Sequence, residues 1–560
     1  MYLDKKLFWE SNPYLDPKLK EELLKMTDEE AKEAFTNDLE FGTAGIRGIL
    51  GPGTNRMNYY VVRKATRGFG QYLAKFDNAF TKGVVIAHDN RNYSKEFALD
   101  SAKVLTKMGF KVYLFKDLRP TPELSFAVRH LGCIGGIMIT ASHNPKEYNG
   151  YKIYDETGCQ TLPNEAAKVI NEINSIGNYF EVELSDNLDN IIYLDEEIDN
   201  VYQQRVKEVI LNENVNKDFK VVFTPLHGTG QVFACDLLAN TGYNVFPYMP
   251  QMINDPNFSN VDSSNPEDEK AYTQAIEYAK EIDANLVLAT DPDADRLGVV
   301  VKHDGEYKLL NGNQTAIIMV EYILRNLKEK NKLPENGYVF TTNVSSSLPL
   351  KIAEEYGMNT YVSLTGFKFI GEQAKLLEGK GTYVYGFEES YGCLIKDFVR
   401  DKDALQAILM LCEIYGYYNE QNKTLVDALN DIYEQYGYTT EGITSIYHPG
   451  MEGAKKIERI VNYFRNTELE LKSIISKEDN LLQVKTFYNK DKITTQNIDL
   501  PKSNVIKYIF EDGTNFVVRP SGTEPKLKVY YNIIGKSSSD ANKKLQSLKD
   551  TVLKMINTIE

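Results

Sequence analysis

Three times along this chain of 560 residues one local pattern returns. A short apolar run gives way to a polar loop, a helical periodicity, a glycine and a second apolar run. The first copy opens at Val84-Val85-Ile86-Ala87, runs helically to Lys107 and resumes as a strand after Gly109. The second opens at Val221-Val222-Phe223-Thr224 and passes through Gly242; the third opens at Tyr338-Val339-Phe340-Thr341 and passes through Gly357. Glycine suits these places because helices commonly close on a left-handed residue. Strands alternating with helices need right-handed crossovers and build mostly parallel sheets. The pattern predicts three similar α/β domains with mixed, mostly parallel sheets, and the length itself calls for three or four domains.

Each copy runs on into a further strand that ends in a polar loop. The first of these loops is Thr140-Ala141-Ser142-His143-Asn144-Pro145, the second Asp291-Pro292-Asp293-Ala294-Asp295-Arg296, the third Gly386-Phe387-Glu388-Glu389-Ser390-Tyr391-Gly392. Ligands in open α/β sheets bind beyond the carboxyl ends of strands, so three such domains facing a central cleft would bring the loops together. The tail departs from the pattern. Val505 to Phe510 and Asn515 to Val518 flank an Asp512-Gly513 turn, Leu527 to Ile534 is another strand, and Asp540 to Ile559 is an amphipathic helix. That is a smaller C-terminal α+β domain with a hairpin. The expected divisions are 1–195, 196–315, 316–440 and 441–560, with the stretches 174–200 and 437–490 read as connectors.

The bulk chemistry excludes several classes of function. A formal net charge of −15 argues against nucleic acid and acidic membranes as partners. An anionic small substrate stays open, because screening limits surface charge to about 8 Å and a few local cations can dominate a pocket. Cys133, Cys159, Cys235, Cys393 and Cys412 are scattered without metal-type pairing, as in a reducing compartment. The N-terminus shows no signal core and no apolar run reaches membrane-spanning length. A cytoplasmic protein, monomeric or weakly homo-oligomeric, is the expectation.

The loops carry phosphoryl-transfer chemistry, each with a plainer alternative beside it. Asp291, Asp293 and Asp295, spaced by two in extended backbone, set three carboxylates on one side. Hard oxygen ligands suit Mg²⁺ at about 2.0–2.1 Å; a solvated acidic turn is the alternative. Ser142 is either a turn residue or a nucleophile, with His143 beside it and Lys152 ten residues on. Glu388, Glu389 and Ser390 suit sugar hydroxyls, or cap a helix. Arg519, Ser521, Gly522, Thr523 and Lys526 have the composition of a phosphate cradle rather than of an ordinary basic turn. Gly42-Thr43-Ala44-Gly45-Ile46-Arg47-Gly48 and Gly366-Phe367-Lys368 add two more cations.

With these residues in view, the chain resembles the α-D-phosphohexomutases from about residue 40 to its end, and most closely their phosphoglucomutase and phosphopentomutase branch. By that resemblance Ser142 is the phosphorylated serine and itself a metal ligand, with Asp291, Asp293 and Asp295 holding Mg²⁺. Arg47, His143, Lys152, Arg296 and Lys368 match active-site positions, Lys152 as a candidate general acid/base. Glu388 and Ser390 would bind sugar hydroxyls, and Arg519, Ser521, Gly522, Thr523 and Lys526 the phosphate that is not reacting. The resemblance implies a mutase interconverting glucose 1-phosphate and glucose 6-phosphate through a bisphosphorylated sugar, glucose 1,6-bisphosphate, which also serves as activator. The alternatives are a phosphopentomutase acting on ribose or deoxyribose phosphates, a phosphomannomutase, an aspartyl phosphatase built on Asp291-Pro292-Asp293, and a non-enzymatic sugar-phosphate sensor.

Overall fold

The structure is a computed structural model that describes residues 2–40, 45–448, 450–469, 471, 473–489, 492–521 and 526–559. The chain divides into two compact units, Met1–Gly312 with Phe367–Thr424, and Asn313–Gly366 with Leu425–Glu560.

The first unit holds two complete α/β domains. In one, a six-stranded sheet runs in the order Ile46–Ile49, Tyr148–Asp155, Gly135–Ile139, Val84–His88, Val112–Phe115, Ile191–Leu194. The last four strands are parallel and the first two antiparallel. Val84–His88 is buried along its whole length, as a parallel strand covered on both faces must be. Helices Tyr59–Leu73 and Ser94–Lys107 supply Val62, Ala65, Phe69, Phe97, Ala98 and Leu105 to its core. In the other, a five-stranded sheet runs Glu306–Leu310, Leu297–His303, Leu286–Thr290, Lys220–Thr224, Asn244–Pro247. Its last three strands are parallel and its first two antiparallel. The first unit also contains helix Phe367–Leu377, the antiparallel pair Thr382–Phe387 and Cys393–Leu394, and the largely buried helix Ala404–Asn419.

The second unit contains the parallel pair Gly337–Thr342 and Asn359–Ser363 and a seven-stranded antiparallel sheet. The order of that sheet is Tyr438–Tyr447, Lys526–Gly535, Asn515–Pro520, Ile506–Phe510, Ile474–Asp479, Val484–Asn489, Lys492–Asn497. Helices Gly450–Asn466 and Ser538–Asn557 pack on it through Ile460, Phe464, Val552 and Ile556.

All three helix-closing glycines are left-handed, with φ of 93° at Gly109, 93° at Gly242 and 78° at Gly357. The expected hairpin forms, with Ile506 opposite Val518. The two expected connectors are instead structural. Residues 174–200 contribute Ile191–Leu194 to the first sheet, where it pairs with Val112–Phe115. Residues 437–490 contribute an edge strand, a helix and two inner strands to the C-terminal sheet. A further layer precedes the first repeat: helices Tyr2–Ser11, Pro17–Lys25 and Asp28–Thr36 enclose Trp9 against Phe35, Tyr60 and Phe180.

Candidate active site

The serine loop leaves the inner strand Gly135–Ile139 and returns as Tyr148–Asp155. Ser142 sits in it with φ of 52°, a left-handed setting that costs a residue with a Cβ some strain. The loop is pinned from below by one buried guanidinium. Arg91 Nη1 donates to the carbonyls of Pro145 (2.8 Å) and Tyr148 (3.0 Å), and Nη2 to those of Ser142 (2.6 Å) and Asn144. Asp89, fully buried, pairs with Arg91 Nε at 3.2 Å. The Ser142 amide donates to Thr140 Oγ1 at 2.8 Å. So fixed, Ser142 Oγ donates to Asp291 Oδ2 at 2.8 Å, across 149 residues of sequence.

The acidic loop follows the buried strand Leu286–Thr290. Gly228 lets a neighbouring turn pass beneath it, for a Cβ there would overlap Pro292. All three carboxylates are buried. Asp291 Oδ1 accepts the amides of Asp295 (3.1 Å) and Arg296 (3.0 Å). Asp293 Oδ2 accepts Lys152 Nζ at 2.8 Å and Thr121 Oγ1 at 2.9 Å. Asp293 Oδ1 and Asp295 Oδ1 are buried and accept no hydrogen bond from any described residue. The three aspartates offer one oxygen each within 4.8 Å of one another. Burial, then the charges of Asp293 and Asp295, push the Asp291 carboxyl well above the usual carboxylate range. Burial also opposes ionisation of Asp293, but the Lys152 ammonium outweighs it and holds that carboxyl low. Oxygen donors this close, beside two buried carboxylate oxygens that accept no hydrogen bond from the described residues, fit a hard divalent cation, and this triad can bind a metal.

The third loop meets the second through the backbone. Arg296 bridges to Gly392, and the Leu297 amide donates to the Tyr391 carbonyl at 3.0 Å. Glu388 is buried, and burial raises its carboxyl above the usual range; Ser390 is half-exposed. Phe387 is buried and stacks on Tyr385 at 5.8 Å. Arg296 Nη1 donates to Glu267 at 2.7 Å, and Arg47 Nη1 to Asn144 Oδ1 at 3.0 Å.

Family models match the chain almost end to end. The phosphoglucomutase/phosphomannomutase α/β/α domains I, II and III match residues 38–180, 200–305 and 311–436, and the C-terminal domain of the same family matches residues 470–547. The chain belongs to the phosphoglucomutase/phosphomannomutase family. A phosphoglucomutase of Staphylococcus epidermidis is 38% identical over 517 residues, covering 90% of this chain and 93% of the relative. Two solved structures share the fold. A phosphoglucomutase/phosphomannomutase family protein from Burkholderia thailandensis has a TM-score of 0.67 at 19% identity, covering 92% of this chain and 97% of its own. The open form of pp63/parafusin, a Paramecium phosphoglucomutase, reaches 0.69 at 17% identity, covering 93% and 96%.

Within this family fold the first unit gathers Arg47, Ser142, His143, Lys152, the three aspartates, Arg296 and Glu388 around one cluster of loops. His143 Nδ1 lies 3.3 Å from Ser142 Oγ. Burial, with Arg296 and Arg47 nearby, drives the histidine well below its ordinary pKa and keeps it neutral. Lys368 stands at the start of helix Phe367–Leu377, and burial lowers its ammonium to about 8. Arg519, Ser521 and Lys526 belong to the second unit, where the Ser521 amide donates to the Lys526 carbonyl at 2.7 Å. Gly522 and Thr523, and residues 42–44 of the glycine loop before Arg47, lie outside the described residues.

Three residues of the site escaped sequence reasoning. Lys402 is buried, with Nζ 3.1 Å from Asp295, 3.2 Å from Asp401 and 4.0 Å from Glu388. Burial works against its charge, but these carboxylates prevail and hold it protonated. It follows Arg400-Asp401, a charge run that reads as a solvated helix entrance. Arg91 and Thr121 are the others. Arg91 had a signal in the polar run Asp89-Asn90-Arg91 at the carboxyl end of a strand.

Proposed function

We propose that this chain interconverts glucose 1-phosphate and glucose 6-phosphate by way of a phosphoserine at Ser142. The observation that carries the reading is the 2.8 Å hydrogen bond from Ser142 Oγ to Asp291 Oδ2. It joins a hydroxyl on a strained turn to a buried triad of metal-type donors. As a phosphate ester, Ser142 gives its phosphoryl group to the free hydroxyl of a sugar monophosphate. The bond from Oγ to phosphorus breaks as the bond from the sugar oxygen forms, in line, and the hydroxyl proton leaves to a general base, for which Lys152 in its neutral amine form is our candidate. The bisphosphate turns over, and its other phosphoryl group returns to Ser142 Oγ. Covalent catalysis thus divides the exchange into two transfers.

Asp291, Asp293 and Asp295, with an oxygen on Ser142, would hold Mg²⁺, which neutralises phosphoryl charge when bound. Arg47 and Arg296 add fixed positive charge and Lys368 a charge that titrates, and Glu388 and Ser390 receive sugar hydroxyls in either orientation. Arg519, Ser521 and Lys526, with Gly522 and Thr523, take the phosphate that does not react. Residues 1–195 then carry the nucleophile, 196–315 the metal loop, 316–440 the sugar loop and 441–560 the phosphate cradle. Glucose 1,6-bisphosphate serves as intermediate and activator.

Comparing kcat/KM for glucose, mannose, glucosamine and ribose 1-phosphates, with Mg²⁺ and trace bisphosphate, tests the sugar; glucose should lead. Ser142→Ala should abolish turnover while glucose 6-phosphate binding, followed calorimetrically, persists. A Ser142→Ala protein with full activity ends this reading. Phosphate on the purified protein should survive acid and be lost in alkali, whereas an aspartyl phosphate would be lost in both.

A further inference from the structure

Asp293 is gripped from outside its own loop at two points by one residue. The Thr121 amide donates to the Asp293 carbonyl at 2.9 Å and the Thr121 hydroxyl to Asp293 Oδ2 at 2.9 Å. Thr121 is wholly buried and lies between Pro120 and Pro122, at the first turn of helix Thr121–His130. Proline fixes φ on either side, so the hydroxyl has little freedom to follow a moving carboxylate. Just upstream, Arg119 holds Asp199 through two nitrogens at 2.9 and 2.8 Å, and its amide donates to the His88 carbonyl at 3.1 Å. The hydroxyl is therefore presented from an anchored frame.

The division of the two Asp293 oxygens gives this frame a chemical consequence. Oδ2 takes both donors, Thr121 and Lys152, while Oδ1 is buried and accepts none from the described residues. A carboxylate held at one oxygen by two converging donors cannot rotate about its own axis, and its other oxygen points where the donors leave it. Partners behind a ligand commonly set metal affinity in this way.

We infer that Thr121 is a positioning residue for the metal, fixing Asp293 so that Oδ1 faces the ion. It rests on the reading of Asp291, Asp293 and Asp295 as the Mg²⁺ site. Thr121→Val keeps the shape and the amide bond but removes the hydroxyl, and Thr121→Ser restores a donor. Mg²⁺ titrated calorimetrically into the full-length protein should bind Thr121→Val about tenfold or more weakly, the scale for loss of such a partner, and Thr121→Ser within about twofold of wild type. The Mg²⁺ concentration for half-maximal turnover should rise in parallel, with kcat recovered at saturating Mg²⁺, a split that general loosening of the fold would not give. Should Thr121→Val fail to fold, Thr121→Ala takes its place under the same comparison. Equal Mg²⁺ affinity in wild type and variant overturns the role of Thr121 alone. A wild type that binds no Mg²⁺ overturns the metal reading beneath it as well.

Discussion

At the scale of the residue, Lys368 ties activity to pH. Burial favours the neutral amine and brings this lysine to about 8. The group is charged below that value and neutral above it, so a cation meant for a phosphoryl group disappears as pH rises through about 8. We expect kcat/KM to fall across that window in wild type. Lys368→Arg keeps its charge at any accessible pH and should flatten the profile on the alkaline side, at some cost in its maximum. A wild-type profile level from pH 7 to 9 would remove Lys368 from the phosphate's surroundings. Single residues were legible in the sequence where chemistry and strand ends coincide, as at Ser142 and the three aspartates. Lys402 was not, because its meaning lies in three carboxylates, two of them supplied by other loops. Nothing in Arg400-Asp401-Lys402-Asp403 distinguishes a buried cation from a solvated one. Thr121 was hidden for a similar reason: a threonine between prolines reads as a helix start, which it also is.

At the scale of the element, the Ser142 loop depends on Arg91. One planar guanidinium donates to four carbonyls of the loop and of the first residue of the strand that follows it, a geometry only arginine offers. Arg91→Lys retains the charge but leaves some of these carbonyls buried and unpaired, at about 1–3 kcal/mol for each such group. The variant should unfold at lower urea. It should also lose kcat far more than it raises KM for the sugar phosphate, since the loop carries the nucleophile rather than the sugar contacts. Equal losses in both constants would contradict that division. The repeats were readable as elements because glycine caps and apolar strands are local signals. The strand Tyr438–Tyr447 was missed because its partner, Lys526–Gly535, lies some ninety residues downstream, and half-exposed edge strands lack the unbroken apolar run of the inner ones. The helices around Trp9 were missed although two of them carry local start signals, Asp16 before Pro17 and the capping box of Thr27 with Glu30; the aromatic packing that joins them is not a local signal.

At the scale of the whole molecule, two electrostatic facts oppose one another. The chain carries a formal charge of −15, yet three cations of the candidate site, Lys152, Lys368 and Lys402, are buried. Salt screens the far field strongly and the interior weakly. Raising NaCl from low to physiological concentration at constant free Mg²⁺ should therefore raise kcat/KM for an anionic sugar, by weakening its repulsion from the outer surface. A steep fall would mean that exposed cations capture the substrate. Among the described residues no helix is long and apolar enough to cross a membrane.

The division of the chain into units also bears on how the protein is made. The first unit closes only with residues 367–424, after the chain has left it at Gly312 and come back. That returning segment brings helix Ala404–Asn419, whose Glu413 accepts the amides of Leu211 and Asn212, and Asp403, which accepts the Tyr202 hydroxyl. A ribosome that has finished residue 312 has thus released an incomplete body with exposed docking sites for a helix still unsynthesised. Translation must run about a hundred residues further before the larger unit, begun first, can be finished.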